Sequence, residues 1–356
     1  MRFMHSSDLH LKEGKGKRFE ALRSILSLAQ QEDVQYVIFA GDFFDKGIDA
    51  RMLRRPLRNL FSEFQDIITI IVPGNHDEAA YPAGTYLGDN VRILSKKPFE
   101  YEETEDAVFV GIPYPGEEDI TPQFFNMLDD IDLTTEKPAI AIVHGTLIGG
   151  ECGFAGRFGE EEGYNPIHLQ DLQEAKFGYY ALGHIHQPYE KLIKIQGRIL
   201  AGYPGSPVSV TKAETGKRGV IVGRLDGDNL LFDIKEVDSF YTISKSLTVI
   251  PHREEEILKE LESLVDEQKD PNSELHLTIG GFVGWKEDVF MEKVGKVLRG
   301  VSPNIILEPS PLQNISEISS VLIETFLKEL DKQELDDATR RKCEEIFFKS
   351  ILAVEG

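Results

Sequence analysis

The chain has 356 residues, with 39 basic against 61 acidic side chains and a formal net charge of −22. At 41% hydrophobic and 28% charged residues it reads as a folded chain too long for one core, and its acidity opposes indiscriminate binding to polyanions or anionic membranes. Two cysteines, Cys152 and Cys343, exclude a disulfide framework and a four-thiolate zinc site, and they fit a reducing, cytoplasmic setting.

The N-terminus turns polar by Asp8, too early for a secretory signal, and the apolar runs at 67–73 and 139–143 have strand length, so no membrane span is expected. Phe19, Leu22, Ile25, Leu26 and Ala29 recur at helical spacing ahead of a buried strand at 34–40. A second helix is expected over Leu53, Leu57, Leu60, Phe61 and Phe64, with Pro56 kinking it or marking its start, and a strand at 67–72 follows. Further strands are expected at 107–112, 139–143, 179–182, 198–201 and 219–222. Helix and strand alternate early and strands crowd later, which points to a layered α/β sandwich. Beyond Val237 the pattern is a small α+β module: strand 240–250, helix 254–268, strand 274–279 ending at Gly280-Gly281, helix 286–298 and strand 304–307. Pro303, Pro309 and Pro311 punctuate its end. A helix carrying Ile315, Ile318, Leu322, Phe326 and Leu330 on one face then precedes a turn near Asp336 and a last helix with Cys343, Ile346, Phe347 and Ile351. The expected segments are 1–237, 238–312 and 313–356.

Five short motifs sit where expected strands end: Asp8-Leu9-His10, Gly41-Asp42-Phe43-Phe44-Asp45, Gly74-Asn75-His76-Asp77, His144-Gly145 and Gly183-His184-Ile185-His186. Five of the nine histidines fall in them. Each alone is weak, but together they line one sheet edge with oxygen and imidazole donors, the set suited to an open site for Mn²⁺, Fe²⁺ or Zn²⁺. His5, His168, His252 and His276 have no such partners and read as surface or core histidines.

This series resembles the calcineurin-like metallophosphoesterase superfamily over roughly the first two-thirds of the chain. Within it, the runs from Tyr179 to His186 and from Tyr203 to Pro207, followed by Glu214 and Gly216, are most similar to the SbcD nuclease subunits of SbcC–SbcD DNA-repair complexes. The resemblance implies a four-layer α/β/β/α sandwich with an α+β capping domain and a C-terminal helical segment. It implies two divalent cations, Mn²⁺ by preference. One would be held by Asp8, His10 and His186, the other by Asn75, His144 and His184, with Asp42 bridging. His76 would act on the leaving oxygen and Asp45 would orient it. The implied activity is exonuclease and endonuclease hydrolysis of DNA, with a coiled-coil ATPase of SbcC type as partner and a homodimer as assembly. A phosphodiesterase or phosphatase for a small substrate is the alternative. The segment from Tyr203 to Pro207 is either a turn or a loop beside the substrate. The basic groups Lys12, Lys15, Lys17, Arg18 and Arg51, Arg54, Arg55, Arg58 are candidate phosphate contacts or a solvated face.

Overall fold

In a computed structural model of the chain, the described residues are 1–116, 137–148, 165–169, 172, 177–187, 193–195, 198–226, 229–299, 304–308, 310–314 and 320–355. Two compact units emerge, Met1–Tyr241 and Thr242–Gly356.

The first unit is built on two six-stranded sheets. One contains β1 (Arg2–Ser6), β2 (Tyr36–Ala40), β3 (Ile68–Val72) and β4 (Val91–Ile93), all parallel, extended beyond β1 by the antiparallel β13 (Gly219–Asp226) and β14 (Asn229–Glu236). The other runs β11 (Ile193–Ile195), β12 (Arg198–Gly202), β10 (Tyr179–Gly183), β7 (Ala139–His144), β6 (Val108–Ile112) and β5 (Glu100–Glu103). A small parallel pair, β8 (Thr146–Ile148) and β9 (Pro166–His168), lies outside both sheets.

Strict alternation along these strands builds separate cores. Phe3, Tyr36, Ile38 and Ile70 of the first sheet face Phe109, Ile140, Ile142 and Tyr179 of the second in one buried cluster. Each such large side chain contributes about 1.5–3 kcal/mol by leaving water. The opposite residues of the first sheet, Met4, Val37, Phe39 and Ile71, pack under α1 (Gly16–Gln31) and α2 (Gly47–Ser62) through Leu22, Ile25, Leu26, Leu57 and Phe61. The second sheet's outer face carries Val110, Ala141, Val143, Tyr180 and Leu182. The architecture is an α/β sandwich; the outer helical layer expected on that second face lies outside the described residues.

Two local expectations change. Pro56 neither starts nor breaks α2, which runs unbroken from Gly47 to Ser62. The bond it forfeits would end on the carbonyl of Met52, an exposed residue, where a lost backbone partner costs least. The strand expected to end at Gly280-Gly281 continues as β16 (Ser273–Val283). A side chain at Gly281, whose φ is +123°, would meet the carbonyl oxygen of Val249 at 2.5 Å, so glycine there admits a close neighbouring strand.

In the second unit, β16 pairs in parallel with β17 (Ile305–Glu308) and β18 (Leu312–Asn314) and also neighbours β15 (Tyr241–Val249). Helices α3 (Glu254–Glu267) and α4 (Glu287–Leu298) cover this sheet through Ile257, Leu261, Phe290 and Val294. The C-terminal helices α5 (Ser320–Asp331) and α6 (Asp337–Glu355) join the same unit: Ile323 and Phe348 pack with Ile250 and Phe282. Phe326 stacks on Phe347 at 3.8 Å between ring centroids. Ile315 and Ile318 lie outside the described residues. Among the described residues no helix is long and apolar enough to cross a membrane.

Candidate metal centre

The carboxyl ends of β1, β2 and β3 in one sheet, and of β7 and β10 in the other, deliver the motif residues to a common edge. Register does part of the work, since Gly183 lies opposite His144 across the parallel β10–β7 pair. The loops after β1 and β2 are laced together by Asp8 N–H to the Gly41 carbonyl (3.1 Å), His10 N–H to the Asp42 carbonyl (2.8 Å) and Leu11 N–H to the Phe43 carbonyl (2.8 Å). The two sheets meet closely here. A β-carbon at Gly183 would stand 1.8 Å from the Ala40 carbonyl oxygen, and one at Gly74 would stand 2.3 Å from Asp42 Oδ1. Four of the convergent residues hold left-handed backbone that non-glycine residues avoid: Asp8 (φ +53°), His10 (+47°), Asp42 (+49°) and His184 (+102°). Such strain costs about 1–3 kcal/mol per residue and concentrates where side chains must be aimed at a ligand.

The structure brings the seven expected ligands together in two lobes. In the first, His10 Nε2 and His186 Nε2 face each other at 3.1 Å, with Asp42 Oδ2 3.7 Å from His10 Nε2 and Asp8 Oδ1 3.8 Å from His186 Nε2. In the second, His144 Nε2 lies 3.0 Å from Asn75 Oδ1 and 3.3 Å from Asp42 Oδ2, and the His184 ring lies edge-on to the His144 ring. Asp42 therefore reaches both lobes. His144 Nδ1 donates to the Ala40 carbonyl at 2.9 Å, which leaves Nε2 available to a metal ion. Asp8 accepts the His184 backbone N–H at 3.1 Å, and Asp42 Oδ1 accepts that of His76 at 2.9 Å.

Asp8, Asp42, His10 and His144 are all buried. Burial pushes the Asp8 carboxyl up and drives His10 down to about 3. Burial also opposes charge on Asp42 and on His144, yet their mutual attraction prevails, holding Asp42 below the usual carboxylate range and lifting His144 to about 10. Two enclosed carboxylates ringed by imidazole nitrogens suit a divalent cation, and three overlapping sets (Asp8, His10, His186; His10, Asp42, His76; Asp8, Asp42, His144) each have ligand atoms within 4.8 Å of one another. The donors present thus fit a centre of oxygen and nitrogen ligands without thiolate.

His76 stands exposed at the mouth, its ring edge-on to His10 with centroids 4.8 Å apart. Asp45 does not hold it. Its carboxylate instead takes Lys12 Nζ at 2.7 Å and Arg18 Nη1 at 3.1 Å, and these two cations pull its pKa down in spite of partial burial. Asp77 was singled out by no role in the sequence beyond closing its motif, yet it shapes this loop. Fully buried, it accepts from Gly74 N–H (2.7 Å), Phe44 N–H (3.2 Å) and Tyr81 Oη (2.9 Å), and burial lifts it to about 7.

The segment from Tyr203 to Pro207 is a loop against the centre rather than a detached turn. Tyr203 Oη donates to the Gly145 carbonyl at 2.7 Å and accepts from Leu147 N–H at 2.9 Å, and Ser206 N–H donates to the His186 carbonyl at 2.9 Å. Of the basic groups, Lys17 lies over the Phe240 ring and Arg58 over the Tyr86 ring, while Arg51 and Arg55 are exposed. Of the histidines outside the motifs, His5 is buried with Nδ1 3.0 Å from Tyr179 Oη, and His276 sits between Glu274 and Glu308. Cys152 lies outside the described residues.

A family model described as calcineurin-like phosphoesterase matches residues 1–188, more than half of the chain. The chain belongs to the calcineurin-like phosphoesterase family, and its converging donors are those of a metallophosphoesterase, a hydrolase of phosphate esters. Among curated proteins it is 22% identical over 361 residues to the uncharacterized metallophosphoesterase YhaO of Bacillus subtilis (strain 168), covering 94% of this chain and 78% of the relative. It is 21% identical over 416 residues to the SbcD component of the nuclease SbcCD of Escherichia coli (strain K12), covering 100% of this chain and 99% of the relative. Among solved structures, purple acid phosphatase PPD1 from yellow lupin (Lupinus luteus) seeds aligns with a TM-score of 0.45 and 14% identity, over 68% of this chain and 52% of that one.

Proposed function

We propose that the protein is a cytoplasmic, Mn²⁺-dependent DNA nuclease that cleaves phosphodiester bonds as an exonuclease and endonuclease in DNA repair. The observation that carries this reading is the end-to-end alignment with a nuclease component, 100% of this chain against 99% of that relative, supported by the convergence of Asp8, His10, Asp42, His144 and His186 in overlapping sets that could hold a metal ion. Asp8, His10 and His186 would hold one cation and Asn75, His144 and His184 the other, with Asp42 shared between them. Bound there, two divalent cations supply Lewis acidity toward the phosphoryl group and activate water at neutral pH. The chain's own residues do the rest. Asp42 fixes the His76 backbone, so that the exposed imidazole meets the leaving oxygen and gives it a proton. The buried carboxylates and lacing hydrogen bonds keep the ligands aimed before substrate arrives.

One observation favours the second reading, a small phosphate ester as substrate. The net charge is −22, and Lys12 and Arg18, two basic groups that follow His10 in the chain, are engaged by Asp45. The separating experiment incubates the purified protein and Mn²⁺ with end-labelled duplex and single-stranded DNA, in parallel with bis-p-nitrophenyl phosphate. Degradation of both DNAs, abolished by EDTA, is expected. Hydrolysis of the small ester with DNA left intact would transfer the assignment to the second reading.

The proposal extends to a homodimer and to a coiled-coil ATPase partner of SbcC type, received on the C-terminal helices. Their outer surface leaves Leu322 and Ile346 more than half exposed, at 52% and 58%. The double substitution Leu322→Asp with Ile346→Asp is expected to abolish co-purification with the ATPase and to spare hydrolysis by the isolated protein. Co-purification at wild-type yield removes that surface as the docking site.

A further inference from the structure

His186 is gripped from both ends by a segment that supplies none of the seven expected ligands. Between β12 and β13 the chain folds back so that Glu214, 5% exposed, sets its Oε1 3.1 Å from His186 Nδ1. The remaining acceptor positions of that carboxylate are filled: Thr211 N–H at 3.2 Å and Thr211 Oγ1 at 3.1 Å on Oε1, Val210 N–H at 2.9 Å and Ser206 Oγ at 2.8 Å on Oε2. Arg218, 1% exposed, binds the other end of the same residue. Its Nη2 donates to the His186 carbonyl (2.5 Å) and to Ser206 Oγ (2.8 Å), and its Nε donates to the Ser206 carbonyl (2.9 Å). Nη2 also lies 3.7 Å from Glu214 Oε2.

The two lobes are therefore supported unequally. His144 gives its Nδ1 proton to a neutral carbonyl, that of Ala40, whereas His186 faces a carboxylate. A carboxylate on the far nitrogen fixes the tautomer, fixes the ring plane, and makes the ligating nitrogen a stronger donor than a carbonyl does. We propose that Glu214 is a positioning residue that acts through His186, strengthening cation binding in the Asp8–His10–His186 lobe relative to the lobe of Asn75, His144 and His184. The inference rests on His186 being a ligand.

The test is calorimetric titration of the full chain with Mn²⁺, comparing wild type with Glu214→Gln, Glu214→Asp, His186→Ala and the double variant Glu214→Gln/His186→Ala. Glu214→Gln removes the charge at near-constant volume and is expected to weaken one of the two Mn²⁺ sites by about 10–100-fold while leaving the other unchanged. Glu214→Asp keeps the charge but draws it away from Nδ1, and is expected to weaken the same site. In the His186→Ala background the Glu214→Gln change is expected to have no further effect on Mn²⁺ affinity, because the residue through which it acts is gone. Equal weakening of both sites, or a Glu214→Gln effect that persists undiminished without His186, shows that Glu214 only folds the loop and overturns the proposal. Unchanged affinities in both Glu214 variants overturn it as well. Two wild-type Mn²⁺ sites in His186→Ala would instead refute the ligand assignment, so the two failures are distinct.

Discussion

Replacing Asp42 by asparagine is expected to disable both cation sites at once and to lower phosphodiester hydrolysis about a thousandfold or more. Its Oδ2 faces His144 Nε2 at 3.3 Å and His10 Nε2 at 3.7 Å, so a single carboxylate oxygen meets an Nε2 from each lobe. Losing several kcal/mol of charge stabilisation at tenfold per 1.36 kcal/mol gives that magnitude. The substitution preserves the fold: an asparagine oxygen still accepts the His76 N–H that Oδ1 now holds at 2.9 Å. Without cations the variant should be less stable than the wild type at neutral pH, since the amide gives up the attraction between the buried Asp42 carboxylate and His144. The decisive measurement is thermal unfolding with and without Mn²⁺. Wild-type protein gains about 2.7 kcal/mol when free cation is a hundredfold above its dissociation constant. Asp42→Asn should gain almost nothing; an undiminished gain would show that Asp42 does not bridge.

His76→Ala is expected to separate chemistry from metal binding. Its ring is exposed and makes edge-on contact with His10, while its backbone N–H, which alanine retains, carries the hydrogen bond to Asp42. Cation-dependent stabilisation should match wild type while kcat falls about 10²–10⁴-fold, the range for loss of a positioned proton donor. Full turnover in this variant would exclude the imidazole from the reaction, and loss of Mn²⁺-dependent stabilisation would make it a ligand instead.

The convergence of these side chains was legible because most of them follow a short apolar run of strand length whose end opens into a loop. Asp8, Asp42, Asn75, His144 and His184 all stand where that rule puts them. The role of Asp45 was not legible, because Lys12 and Arg18, its actual partners, lie 33 and 27 residues earlier in the chain. Spacing carries no information about a salt bridge between separate loops. Glu214 and Arg218 were invisible as supports for the same reason: their contact with His186 depends on the chain reversing between β12 and β13. Pro56 and the Gly280-Gly281 pair misled because local propensity was weighed without the exposure of Met52 or the approach of Val249.

The centre's division between two sheets also sets an order of events during folding. Asp8, His10, Asp42 and Asn75 belong to the first 75 residues, whereas His144, His184 and His186 arrive with β7 and β10 much later. A chain emerging N-terminus first thus carries two carboxylates, an amide and one imidazole, a weak and open chelator, until the second sheet docks. These contacts span 69 to 176 residues of sequence, among the slowest kind to form. The full set of seven expected ligands is therefore assembled only in a chain whose second sheet has docked on the first, and cation affinity is expected to rise at that step.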